Sequence, residues 1–377
     1  MTTTAFANNN VISNVLYMAL ELSQNKWCIA FGNGVKMRQV TLEANDKLGL
    51  CVEIQKAKEK FGLPEDTKVM SCYEAGRDGF WIHRWLTSCG IENIVIDSSS
   101  IKVDRKSRRA KTDRLDASRM LKQLILHVRG EEKLQIARVP SEVEEDRRRI
   151  HRERERLIKE RTGHTNRIKS FLNLFGIKFK NKGWKSWEIY LSSVKDWKEE
   201  YLPEDQKAEL LREAKRLEMV EAQLKELETL RLERLETSDE EVYKKVRQLK
   251  RLKGIGDIGA WVFIMEWFGW RKFNNRREIG AAAGLVGTPY DSGESQREQG
   301  ISKAGNYRIR TLATELSWCW LRYQPDSELS RWFNERFNRG KRSRRVGIVA
   351  LARRLLIALW RYLETGQLPT GAELKPI

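Results

Sequence analysis

The chain has 377 residues, and its 71 Lys and Arg exceed its 52 Asp and Glu by 19 charges. It is 33% charged and 40% hydrophobic, yet it holds 13 Trp, 12 Phe and 9 Tyr, an aromatic load that excludes a mostly disordered chain. That length allows two or three domains with their own cores, and the cationic surplus points to a polyanionic partner, nucleic acid first.

Other classes drop out next. Met1 to Asn10 is polar and Asn-rich, with neither a basic nor an apolar signal region, so no secretory leader is expected. The most apolar C-terminal stretch, Val346 to Trp360, is interrupted by Arg353 and Arg354, which argues against a membrane span. The five cysteines show no CxxC pair, no histidine at zinc-ligand spacing and an odd count, which favours a reducing cytoplasm over a disulfide framework. A catalytic metal would then rest on carboxylates, which select Mg²⁺ or Mn²⁺.

In chain order, Val15 to Leu22 is an apolar strand ending in acid. Lys26 to Gly32 and Lys36 to Leu42 are rich in β-formers and are joined by an Asn33-Gly34 hairpin signal. Leu48 to Phe61 reads as a helix, Lys68 to Tyr73 as a strand, Phe80 to Cys89 as a helix and Ile91 to Ile96 as a buried strand. The order βββαβαβα is that of a ribonuclease-H-like core, a mixed sheet with helices on its faces.

A charged middle follows Pro140. Ser141 to Arg161 carries 7 acids and 8 bases around one apolar row, Val143, Ile150 and Leu157. Leu210, Leu217 and Leu224 repeat every seven residues, with Val220 and Leu227 between them, a coiled-coil-like seam. Lys178 to Leu202, with Trp184, Trp187 and Trp197, interrupts the two helical runs. The expectation is a pair of long antiparallel helices that self-associate. From Leu249 onward short helices alternate with Gly-rich turns, and the residues after Gly366 read as a loose tail.

Four acids stand where they can converge. Glu21 ends the first strand, Glu74 follows the fourth, and Asp113 and Asp116 open the helix after the fifth, three apart and so on one helical turn. Together they offer oxygen donors for one or two Mg²⁺ and activation of a nucleophile for phosphodiester attack. Residues 102–119 hold eight Lys or Arg against three acids, so Arg105, Lys106, Arg108, Arg109 and Lys111 are expected phosphate contacts beside the acids.

Leu249-x-x-Leu252-Lys253-Gly254-Ile255-Gly256-x-x-x-Ala260 has the form of a helix-hairpin-helix turn, in which Gly254 and Gly256 allow close approach to a phosphate. Gly284-Leu285 leads to Ser292-Gly293, a serine expected in a turn, with Arg297, Lys303, Arg308 and Arg310 following. A serine ringed by cations can attack a phosphodiester, although most loop serines are turn formers. Residues 331–345 contain seven Lys or Arg and one Glu among Trp332, Phe333 and Phe337, a surface with Lys341, Arg342, Arg344 and Arg345 suited to DNA or structured RNA.

Taken in order, these pieces resemble the DEDD transposases of the insertion sequence 110 family, relatives of the Piv-type invertases. The resemblance rests on Tyr73-Glu74, Lys111-Thr112-Asp113 with Asp116-Ala117, the run from Arg161 to Gly176, the Gly254 to Ala260 turn, Gly284-Leu285 with Ser292-Gly293, and Ser302-Lys303-x-Gly305-Asn306. It implies a RuvC-like domain over 1–135, a coiled-coil and helical region over 136–248, and a mainly helical transposase domain over 249–377. It implies further that Glu21, Glu74, Asp113 and Asp116 form the acid tetrad and that Ser292 becomes covalently linked to DNA, with Ser295 as the fallback. The family has Asp where this chain has Glu21, whose extra methylene shifts a bound metal by about an ångström.

The same resemblance implies donor and target DNA, a structured guide (bridge) RNA that pairs with both, and a dimer or tetramer in which acids and serine come from different protomers. The expected activity is a transposase that cuts and rejoins DNA through a phosphoserine link. A metal-dependent junction-resolving nuclease and a non-catalytic nucleic-acid-binding relative are the alternatives.

Overall fold

The computed structural model describes residues 15–76, 79–97, 113–179, 186–292, 295–338 and 340–376, with backbone alone described at 290–292 and 295–299. The chain divides between Val139 and Pro140 into two compact units.

The N-terminal unit runs β1 (Val15–Leu22), β2 (Lys26–Gly32), β3 (Met37–Glu43), α1 (Lys47–Phe61), β4 (Lys68–Glu74), α2 (Trp81–Ser88), β5 (Glu92–Ile96) and α3 (Asp113–Val128), the expected βββαβαβα order. Its five strands lie in the order β3-β2-β1-β4-β5. β1 is antiparallel to β2 and parallel to β4, and β4 is parallel to β5. The β2–β3 hairpin turns at Asn33, whose side chain accepts from the backbone of Val35 and Lys36, and Gly34 takes φ +87°. Such a positive φ favours glycine.

Both faces of the central strands are buried, so β1 and β2 are apolar along most of their length. Leu16, Met18 and Leu20 of β1, Trp27, Ile29 and Phe31 of β2, and Tyr73 of β4 pack with Leu50, Ile54 and Ala57 of α1 and Ile82 and Leu86 of α2. The intervening Tyr17, Ala19, Cys28, Ala30 and Cys72 pack against Ala117, Met120, Leu121 and Leu124 of α3. The side-chain period of two along each strand assigns every residue to one layer.

The C-terminal unit is mostly helical: α4 (Glu142–Asp146), α5 (Arg149–Leu174), α6 (Trp187–Ser193), α7 (Glu204–Thr237), α8 (Glu241–Lys250), α9 (Asp257–Phe263), a π-helical turn Ile264–Phe268, α10 (Arg276–Ala282), the hairpin β6 (Gly287–Ser292) and β7 (Ser295–Ile301), α11 (Tyr307–Tyr323), α12 (Glu328–Arg336) and α13 (Gly340–Thr365). α5 and α7 pack side by side and antiparallel, since Arg154 meets Glu228 at 3.0 Å while His164 meets Glu213 at 2.7 Å. Leu210, Leu217 and Leu224 are all buried in that seam. Val143 is not part of the row: α4 ends before α5 begins, and Val143 stands 59% exposed.

The residues after Gly366 are docked rather than loose. The backbone of Lys375 donates to Arg251 at 2.7 Å, and that of Lys253 to Glu373 at 3.1 Å. Gln324 clamps Glu373 through both its amide groups at 2.8 Å. Local composition signals a tail, but these partners lie 49 to 124 residues away.

Candidate active site

Glu21 and Glu74 reach the same face of the sheet by parity. Tyr17, Ala19 and then Glu21 alternate onto the α3 side of β1, and Cys72 and then Glu74 onto the α3 side of β4. The parallel register pairs Leu20 with Tyr73, so Glu21 and Glu74 are neighbours at the C-terminal ends of adjacent strands. They open onto one concavity with Ser23, Gln24 and Gly76.

α3 packs on the same face of the sheet. Asp113 lies one turn before Ala117, and Asp116 one turn before Met120, both of which are sheet-facing. Gln39 of β3 donates to the Arg114 carbonyl at 2.7 Å and so pins the start of α3 to the sheet. The helix N-terminus favours carboxylates. Burial raises the pKa of Cys28, opposed by a Thr41 hydrogen bond and Arg114; the negative charges of Asp113 and Glu21 raise it further, so both acids act on one point of β2. Asp116 also pairs with Arg119 at 3.0 Å. The donors are hard carboxylate oxygens, the set that fits Mg²⁺ or Mn²⁺. Among the described residues no three His, Cys, Asp or Glu groups are gathered into a metal-holding cluster.

Ser292 is the last residue of β6, opposite Ser295, the first of β7. Sequence reading expects a turn here. The serine instead closes a strand pair, and the hairpin extends the mostly helical unit with a two-stranded ribbon. The base of the ribbon is bolted down. Ser302 N–H donates to Val286 at 2.8 Å, Lys303 N–H to Gly284 at 3.1 Å, Asn306 N–H to Ala282 at 2.9 Å, and the Arg310 guanidinium to Ala283 at 3.1 Å. Gly305 takes φ +124°, and a Cβ there would run into the Ala282 carbonyl. Gly305→Ala is therefore expected to lower stability by about 2 kcal/mol or more, read as a reduced urea midpoint. An unchanged midpoint would show that the loop relaxes.

The remaining predicted contacts separate. Arg105, Lys106, Arg108, Arg109 and Lys111 lie outside the described residues, and the side chain of Arg297 is not among those described. Arg308 pairs with Glu155 at 2.6 Å. Lys303, Lys341, Arg342 and Arg345 are exposed, and Arg344 stacks on Phe333 at 4.9 Å. Gly254 has φ +82° and sits tightly on the Cys319 carbonyl of α11, while Gly256 faces open space before α9.

Sequence reading misses Glu266. This carboxylate is 1% exposed in the π-helical turn, where it accepts from His151 at 2.8 Å, Arg152 at 2.7 Å and 3.0 Å, and Asn306 at 3.0 Å. Burial alone would raise its pKa; the His151 and Arg152 hydrogen bonds and the Arg152 charge overcome that and hold it far below the usual carboxylate range. The available signal is a lone acid within Trp261–Trp270, a run otherwise apolar or glycine. Through Asn306 this hub reaches the loop at the foot of the serine hairpin.

Two family models match. Residues 23–177 match the DEDD transposase model of the insertion sequence IS110 group, and residues 246–330 match the transposase IS116/IS110/IS902 family. The chain is 40% identical to y4rJ of Sinorhizobium fredii, a transposase by name, over 96% of this chain and 94% of that one. It is 28% identical to y4qE of the same organism, covering 82% of this chain and 72% of the relative. It is also 27% identical to the transposase for insertion sequence element IS1328 of Yersinia enterocolitica, covering 56% and 60%. No helix among the described residues is long and apolar enough to cross a membrane. The DEDD model suggests dependence on a divalent metal, and the transposase family implies an enzyme that cuts and rejoins DNA. With both family models matched and near full-length similarity to y4rJ, this chain belongs to the IS110 family of DEDD transposases.

Proposed function

We propose that Glu21, Glu74, Asp113 and Asp116 together hold Mg²⁺ or Mn²⁺ at the scissile phosphate and that Ser292 is the nucleophile. The observation carrying this reading is the shared parity and register of Glu21 and Glu74 on the face where α3 begins. The bound cation would neutralise charge developing on the phosphate oxygens. Ser292 Oγ loses its proton and bonds to phosphorus as the bond to one DNA strand breaks, leaving that end as a hydroxyl. A strand hydroxyl then attacks the phosphoserine, re-forms a phosphodiester and restores the serine, so no ATP is consumed.

Acids and serine come from different protomers of a dimer or tetramer. The antiparallel α5–α7 pair serves as a coiled coil for assembly, and Met219, 64% exposed on α7, offers an apolar contact. Target and donor choice falls to a structured guide RNA, bound by shape through the cationic surplus.

The test uses the full chain with its copurifying RNA, donor and target plasmids, and Mg²⁺. The wild-type protein should recombine the plasmids, and sequencing should return one discrete structured RNA. Glu74→Gln and Asp113→Asn should each lower the rate by about 10³-fold or more, as should EDTA. Full activity in either variant would overturn the tetrad, and random cellular RNA would overturn the guide.

A further inference from the structure

A concavity of the C-terminal unit, about 1060 Å³, lies at the foot of the serine hairpin. It is walled by Arg276 and Arg277 at the start of α10, by Lys303 after β7, and by Arg345, Arg353, Arg354 and Arg361 along α13. Glu328 is the one carboxylate among its described lining residues. Elsewhere in this unit Arg147, Arg152, Arg154, Arg167 and Arg216 meet carboxylates. Among the described residues, no ion pair is formed by any of the seven cations of this wall. Like charges gathered this closely repel one another, a cost that an anionic ligand would relieve.

The floor is apolar. Val346, Val349, Ala350, Ile357 and Ala358 recur at helical spacing on the α13 face that carries Arg353, Arg354 and Arg361. Val346 stands 63% exposed, with no folding reason to be apolar. Trp332 of α12 lies at the rim, with the Arg354 guanidinium 4.2 Å from its ring centre, a flat cationic platform. A duplex presents phosphates outward and hides its bases, so it leaves an apolar floor unused. A single strand presents both, phosphates to the arginines and bases to the floor.

We propose that this groove binds a single-stranded nucleic-acid segment. From Arg345 to Arg361 the helix spans roughly 24 Å at 1.5 Å per residue, room for about seven stacked nucleotides at 3.4 Å each. The strand runs past Gly287, Gly300 and Lys303, at the base of the ribbon that ends at Ser292. Delivery of the strand to that serine rests on the function proposed above; binding itself does not.

The experiment is fluorescence anisotropy on the full chain with a labelled DNA single strand of about 12 nucleotides, the RNA of the same sequence and the DNA duplex. Arg277→Glu/Arg361→Glu reverses two exposed charges. Its single-strand affinity should fall about tenfold or more, with a salt slope shallower by about 1.4, two contacts at about 0.7 each. Duplex affinity should change less than about threefold, and Arg277→Lys/Arg361→Lys should restore single-strand binding. Stronger binding of DNA or of RNA identifies which strand is the ligand.

Unchanged single-strand affinity, an equal loss on duplex, or displacement of the strand by polyglutamate more readily than by unlabelled strand would overturn the proposal. As a measurement independent of any variant, a 4-thiothymidine single strand irradiated with the wild-type protein should crosslink to peptides carrying Trp332 or residues 346–361. Crosslinks confined elsewhere would also overturn it. None of these readouts needs strand cleavage, so failure of Ser292 as nucleophile would leave the groove intact, and the reverse.

Discussion

Ser292→Ala is expected to abolish covalent protein–DNA adducts, with a loss on the order of 10⁴-fold in recombination rate, because nothing replaces a missing nucleophile. End-labelled DNA incubated with Mg²⁺ and resolved under denaturing conditions should show a slow-migrating band for the wild type and none for the variant. DNA affinity should stay within about twofold, since one hydroxyl contributes little to a backbone-dominated interface. Ser295 faces Ser292 across the last pair of the ribbon, so Ser295→Ala is the control that separates them. Adducts that survive Ser292→Ala and vanish with Ser295→Ala would move the nucleophile across the hairpin. Hydrolysed ends without any adduct, indifferent to both substitutions, would point to a nuclease using the acids alone.

The two units differed in how far sequence could be read. In the N-terminal sheet the interiors of β1 and β2 are mostly apolar, and turn residues mark the ends, as Asn33 and Gly34 do between β2 and β3. Placing Glu21 and Glu74 at strand ends was therefore legible from local pattern. Their common face needs the register, which follows from counting residues by two once the strands are aligned.

The ribbon was not legible. Gly287–Ser292 and Ser295–Ile301 contain Pro289, Gly300 and mostly polar residues, with no alternation to announce a strand. They pair because Gly284, Val286, Ser302 and Asn306 fasten their base, and those bonds join residues 16 to 24 apart. Long-range partners likewise hide the docking of the C-terminal residues on Gln324. In the middle region Leu210, Leu217 and Leu224 are buried, whereas Val143 departs from its row with Ile150 and Leu157, because Ser141 caps a separate short helix with Glu144.

The buried carboxylates supply the second large effect. Glu266→Ala should lower stability by about 3–5 kcal/mol, the usual cost of removing one partner from a buried ionic cluster. The loss comes from His151, 6% exposed and left facing a void, and from Arg152, whose two bonds to the carboxylate disappear. Glu266→Gln keeps the shape and an acceptor but not the charge, so it should retain the fold and cost less. Urea denaturation of the two variants orders these effects, and equal stability of all three proteins would remove Glu266 from any structural role.

The sign of the pH dependence follows from the direction of the shift. A carboxylate whose folded pKa is depressed stabilises the fold above its ordinary value and loses that contribution as pH falls through the folded one. Glu213 behaves alike: burial would raise it, but His164, Arg167 and Arg216 lower it from 4.5 to about 2. Wild-type stability should therefore fall as pH drops from about 4.5 toward 2, with Glu213 joining the α5–α7 pair and Glu266 joining α5 to the Asn306 loop. In Glu266→Gln this acid slope should be shallower. A slope as steep as that of the wild type would mean that Glu266 is not ionised in the fold, and that the hub at the foot of the serine hairpin is held by neutral hydrogen bonds alone.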